Sequence, residues 1–183
     1  MIDARFGTLR GLVRLVLSYG QVALGQASLA VGDEREVKRL VFVCHGNICR
    51  SAFADVVAHR AGLNVASLGL STSADQPAHG PAIEAAARRG FDMTAHRTTR
   101  AEDFVPQPGD LLLGMEVRHM VKLKNLPGYE QTPRTLLGMW ARPFMPHLHD
   151  PYKLDPAYMD VCLARIEQAV GALANSFPGA RLS

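Results

Sequence analysis

The chain has 183 residues, with 20 lysines and arginines against 17 acidic residues, a formal net charge of +3 and 48% hydrophobic residues. That length supports one domain large enough to bury a core, and the composition is that of a globular chain rather than a disordered or fibrous one. The charge excess is too small to argue for nucleic acid, and an odd count of three cysteines is no disulfide framework and points to a reducing, cytoplasmic compartment. The tract from Gly11 to Gly32 is the nearest approach to a membrane span, but Arg14 interrupts it.

Residues 4 to 26 read as an amphipathic helix, with Phe6, Leu9, Val13, Val16, Leu17 and Leu24 on one face and Arg10, Arg14, Ser18 and Gln21 on the other. Val31 to Glu36 reads as a charged linker, so residues 1–37 form a helical extension and 38–183 the main domain. Beyond it the pattern becomes an alternation. Arg39 to Cys44 is a buried strand and Ser51 to Ala61 a helix. Val65 to Leu70 is a second strand, and Pro81 to Arg89 a helix with proline at its start and Gly90 at its end. Asp110 to Met115 is a third strand and Val117 to Leu126 a helix stopped by Pro127 and Gly128. Arg134 to Met139 is a fourth strand. Asp155 to Phe177 is a long helix with Tyr158, Cys162, Ile166, Ala169 and Leu173 inward. The alternation predicts an α/β fold, a four-stranded parallel sheet with helices on both faces plus the extra N-terminal helix. In such sheets a ligand sits beyond the carboxyl ends of the strands.

The first strand runs directly into Cys44-His45-Gly46-Asn47-Ile48-Cys49-Arg50-Ser51, and a helix follows. Backbone N–H groups at a helix N-terminus point outward into a positive field, which favours an anion. Gly46 permits a positive φ there and Asn47 tolerates one. The same field favours a thiolate at Cys44, the nucleophilic form of the group. Arg50 brings a planar fork that matches two phosphate oxygens. Ser51 can donate to the sulfur and help it leave. The bland alternative, a buried cysteine at a strand end with Arg50 on a solvated helix face, does not account for strand, loop, glycine, arginine and helix occurring in that order.

This segment resembles the signature loop of the low-molecular-weight protein tyrosine phosphatases, and the likeness extends over about residues 38 to 177. The resemblance implies that Cys44 is the nucleophile, that Arg50 binds phosphate, and that Asn47 and Ser51 match the loop asparagine and serine of the family. His45, Gly46, Ile48 and Cys49 complete the phosphate-binding loop. No cofactor or metal is implied.

A phosphate ester leaves poorly unless its oxygen is protonated, so a carboxylic acid is expected near the nucleophile. The candidate is Asp150 in His149-Asp150-Pro151-Tyr152, where Pro151 holds its neighbour extended. Asp-Pro turns are common without function; the resemblance is what assigns Asp150 as acid and then as base. Tyr152 is expected to line the mouth and stack on an aromatic substrate. The Asp-Pro-Tyr-Lys pattern and Gly69 to Ile83 are similar to bacterial members that act on tyrosine kinases of capsule or exopolysaccharide export, which implies a phosphotyrosine protein, and such a kinase, as partner.

The sequence departs from the family in places. Ser71 to Ala74 carries no aromatic where many members wall the cleft with one, which leaves a small-molecule phosphatase open. Glu116 follows Met115 where an aspartate is usual. Ala52 replaces a common proline, and His45 is an unusual loop residue. The resemblance gives Cys49 a role as a redox partner for Cys44, against inert packing. Cys162 reads as core, and His79, His96 and His119 as surface or satisfied histidines. His147, His149 and Asp150 weigh weakly as a metal cluster, since nothing completes a four-ligand site. A thioredoxin-coupled arsenate reductase would need two further cysteines after the third strand, and Asp110 to Trp140 contains none. A phosphate-binding module without turnover would lack the cysteine, arginine or acid. For residues 4–26, packing or self-association is favoured over contact with a membrane surface.

Overall fold

A computed structural model describes residues 2–26 and 33–182. Four strands, β1 (Arg39–Cys44), β2 (Val65–Gly69), β3 (Asp110–Gly114) and β4 (Arg134–Leu136), form one sheet in the order β2-β1-β3-β4, every pair parallel. Leu40 stands opposite Val65 on one side and Leu111 on the other. Because neighbouring strand residues point to opposite faces, β1 feeds two cores. Leu40 and Phe42 pack with α3 (Arg50–Arg60), α4 (Gly80–Arg88) and α6 (Pro156–Leu173). Val41 and Val43 pack with α5 (Val117–Lys124). The sheet is thus covered on both faces, and β1, flanked by β2 and β3, delivers Cys44 to the point where the strand order reverses.

The long helix α6 buries Tyr158, Cys162, Ile166, Ala169 and Leu173, the five positions its periodicity predicts. The fourth strand is shorter than expected. After Leu136 the chain curls into a 3-10 turn over Leu137–Met139, because the backbone of Met145 lies against Gly138 too closely to admit any side chain there. Helices α5 and α6 end at Lys124 and Leu173, before the residues expected to close them.

The N-terminal helix is two helices, α1 (Ile2–Phe6) and α2 (Leu9–Ala23). Gly7 takes a φ of 78° between them, and the Thr8 hydroxyl caps α2 by accepting from the Gly11 amide at 2.9 Å. The orientation of α2 is opposite to expectation. It buries Gly11, Leu15 and Ser18, while Leu9, Val13, Val16, Leu17 and Leu24 remain 49% to 76% exposed. The cause is local: the small residues Gly7 and Gly11 let the chain close on His149 and Tyr158, where a Cβ at either glycine would fall within 2.8 Å of the His149 ring. Tyr19 adds a hydrogen bond to the Phe144 carbonyl at 2.6 Å. Of the expected linker, residues 31 and 32 lie outside the described residues, and Asp33 caps a short turn over Glu34–Glu36.

Candidate active site

The loop from Cys44 to Arg50 joins β1 to α3 and turns back on the sulfur. The Asn47 amide donates to Cys44 Sγ at 3.2 Å, and the Ser51 hydroxyl lies 3.0 Å from the same atom. Asn47 Nδ2 donates to Ser51 Oγ at 2.9 Å, which leaves the serine proton free to point at the sulfur. The positive φ the loop needs falls on Asn47, at 52°, and not on Gly46. Asparagine tolerates that region, and its side chain is fixed at both ends: Oδ1 accepts from the Thr99 amide at 2.9 Å. The Asn47 carbonyl meets His96 Nε2 at 2.8 Å, so His96 braces the loop rather than standing free.

Arg50 opens α3 and is 1% exposed. One guanidinium nitrogen donates to Glu116 Oε1 at 2.6 Å and to the Leu148 carbonyl at 2.9 Å; the other lies 2.7 Å from Asp150 Oδ2. Burial opposes the charge on Arg50, but Asp150 and Glu116 outweigh it and hold the guanidinium firmly protonated. Burial likewise opposes the charge on Glu116, and Arg50, His119, His147 and the Arg118 hydrogen bond together keep its carboxyl well below the usual range. Glu116 is therefore a member of the site that the sequence reading left out. The signal was present in the Met115-Glu116 pair, at a position where the family carries an acid.

Asp150 follows the buried end of the segment after β4 and faces both Arg50 and the cleft, with its second oxygen accepting from the Tyr152 amide at 3.3 Å. Cys44, His45, Gly46, Ile48, Cys49, Arg50, Ser71, Thr72, Asp150 and Tyr152 line a cleft of about 220 Å³. Every residue expected in the site lines it except Asn47 and Ser51, which are buried beneath the loop. Tyr152 stands edge-on to His79, ring centroids 4.8 Å apart, so His79 packs against the cleft wall. Cys49 is buried, and burial pushes its thiol up, as it pushes that of Cys162 up to about 12. Among the described residues no group of three metal-ligating side chains converges. His147 and His149 stack on one another instead, Nε2 to Nδ1 at 3.3 Å, and His119 is buried against Glu116 without a hydrogen bond.

The description "low molecular weight phosphotyrosine protein phosphatase" fits residues 39–181 in a comparison with family models. The chain belongs to that family. It is 35% identical over 81 residues to a probable low molecular weight protein-tyrosine-phosphatase, EpsP, of Ralstonia solanacearum; the match covers 43% of this chain and spans 56% of the relative's length. The tyrosine phosphatase Wzb from Escherichia coli K30, solved with sulphate, superposes with a TM-score of 0.66 at 26% identity over 76% of this chain and 97% of that one. A YwlE arginine phosphatase from Geobacillus stearothermophilus shares the fold, with a TM-score of 0.63 at 20% identity over 75% of this chain and 91% of that one. The family match begins at β1, so α1 and α2 of this phosphatase lie outside it.

Proposed function

We propose that the chain hydrolyses phosphotyrosine in protein substrates through a cysteinyl-phosphate intermediate, with residues 38–183 as the catalytic unit and residues 1–37 as an extension. The observation that carries this is the convergence on one 220 Å³ cleft of Cys44, with an amide and a hydroxyl on its sulfur, and of an Arg50 fork shared with Asp150. Cys44 attacks phosphorus in line while Arg50 and the loop amides hold the equatorial oxygens. An S–P bond forms, the ester P–O bond breaks, and Asp150 gives its proton to the leaving oxygen. A water then attacks phosphorus, Asp150 takes a proton from it, and the thiolate leaves while the Ser51 hydroxyl stabilises its charge. Ile48 and Tyr152 give the cleft an apolar wall, which supports an aryl group over a guanidinium. The relatives EpsP and Wzb, both named as protein-tyrosine-phosphatases, support phosphotyrosine as the substrate group. The likeness of Asp150-Pro151-Tyr152-Lys153 to bacterial members that act on tyrosine kinases of polysaccharide export supports such a kinase as the physiological substrate, and the cysteine usage supports a cytoplasmic location.

The test is steady-state hydrolysis of a phosphotyrosine peptide beside phosphoserine and phosphoarginine peptides, with chelator throughout. Turnover of the tyrosine peptide alone is expected, and Cys44→Ser abolishes it while the fold survives. Turnover of none, with phosphate still bound, would make the chain a binding module.

A further inference from the structure

Helix α2 packs with its weaker face inward. Its buried positions, Gly11, Leu15 and Ser18, recur with helical spacing and include a single large apolar residue. On the opposite side Leu9, Val13, Val16, Leu17 and Leu24 form a continuous stripe, 49% to 76% exposed. At 1.5 Å per residue the helix lays this stripe out over about 20 Å. A stripe of that kind is not a neutral feature of a water-exposed helix. Its rim is cationic. From residue 4 to residue 32 the chain carries Arg5, Arg10 and Arg14 and no acidic residue. Beside α2, helix α5 adds Lys122 and Lys124, since its Arg118 is paired with Glu116, and exposes Val121 at 52%. Leu17 and Arg14 of α2 line one cavity with Val121 and Lys122 of α5, so the stripe and its cations border those of α5 at that point. Arg14 has no carboxylate partner among the described residues.

We propose that this face docks on an anionic lipid surface, with α2 lying in the interface plane and its Leu/Val stripe in the headgroup–acyl boundary. A second copy of the chain is a poorer occupant, because a two-fold contact would set two cationic rims against each other. A pocket on a protein partner is poorer too, because the stripe offers only aliphatic side chains and lacks the exposed tryptophan or tyrosine anchors that carry such interfaces; Tyr19, the nearest aromatic, is engaged with Phe144. Hydrocarbon makes no directional demand, and basic residues beside an apolar helical stripe are what an anionic interface selects. His45 of the active-site loop lines the same cavity as Arg14 and Leu17, so docking sets the mouth of the site beside the bilayer. The inference does not depend on the substrate assigned above.

The experiment is co-sedimentation of the full chain with vesicles of phosphatidylcholine alone and of phosphatidylcholine with phosphatidylglycerol, at low and high salt, with light scattering of the free protein alongside. Binding to the anionic vesicles is expected, falling with salt. Val13→Glu/Val16→Glu abolishes it while hydrolysis of p-nitrophenyl phosphate stays at the parent rate, which shows the fold intact. Removing two cations with Arg10→Gln/Lys124→Gln weakens partitioning roughly thirtyfold. No binding to anionic vesicles at low salt, or equal binding to neutral ones, overturns the proposal. So does a dimer in solution that Val13→Glu/Val16→Glu dissociates, since the stripe would then be covered by a second copy.

Discussion

Thr8 Oγ1 lies 3.2 Å from Nε2 of His149, the residue that precedes Asp150. The His149 ring is also stacked on His147, its carbonyl accepts from the Tyr158 hydroxyl at 3.2 Å, and the backbones of Gly7 and Gly11 close against it. A segment ahead of the family-matched residues thus grips the backbone that carries the proposed acid. Alanine favours a helix over glycine by about 1 kcal/mol, but a Cβ at Gly11 would meet both the Phe6 carbonyl and the His149 ring, so we expect Gly11→Ala to push the end of α1 and His149 away from α2 and to displace Asp150 with His149. Turnover of phosphotyrosine, a poor leaving group that needs the proton, should fall roughly tenfold or more. Turnover of p-nitrophenyl phosphate should fall much less. A uniform loss across leaving groups would mean that His149 does not position the acid.

Asp150 and an incoming phosphate compete for the same guanidinium nitrogen, since Asp150 Oδ2 already lies 2.7 Å from Arg50. Asp150→Asn therefore has two effects of opposite sign. It cuts turnover of poor leaving groups by roughly 10²-fold or more, and it tightens binding of inorganic phosphate by removing a charge that occupies the fork. Inhibition constants for phosphate, measured against a good leaving group, check the second effect; weaker binding in the variant would show that the ion pair does not compete.

Glu116 and Arg50 are both 1% exposed, so neither has water to fall back on. Glu116→Gln leaves a buried guanidinium with one carboxylate fewer, and a broken buried pair costs about 3–5 kcal/mol. Denaturant unfolding should show that loss, with phosphate affinity reduced because Arg50 is no longer aimed. Glu116→Asp keeps the charge and should cost far less. Equal destabilisation by both would show that side-chain length, and not charge, holds Arg50.

The sheet and the placing of the loop residues were legible because they are local. The run from Arg39 to Cys44 marks a buried strand by its own residues, and Cys44, Arg50 and Ser51 sit at fixed offsets along one loop-to-helix turn. The proposed acid, Asp150, was reachable by its Asp-Pro context together with the resemblance. What misled was burial direction. The hydrophobic periodicity of residues 9 to 24 is real, but the face that packs was decided by Gly7 and Gly11 meeting His149 and Tyr158, a contact between segments some 140 residues apart in the chain. The contacts of Glu116, His96 and His79 were hidden for the same reason. Their partners Arg50, Asn47 and Tyr152 are brought to them only by the parallel sheet and its loops.

Acid should loosen the fold through the histidines around Glu116. Burial pushes His119 down to about 3 and His147 down to about 4 from an ordinary 6.5, with Glu116 opposing both. Between 6.5 and those values the unfolded chain binds protons that the folded chain refuses, so stability rises with pH across that window and is lost as pH falls through it. Each such proton contributes a slope of up to about 1.4 kcal/mol per pH unit. Glu116 adds to the same trend at its lower end, because its depressed carboxyl contributes stability that is present above 4.5 and lost below. Unfolding midpoints measured from pH 7 down to pH 4 should therefore decline steeply. His119→Gln removes one of the titrating groups and should flatten the decline by close to one proton. An unchanged slope in that variant would mean that His119 is already protonated in the folded protein, paired with Glu116 rather than excluded from charge by burial.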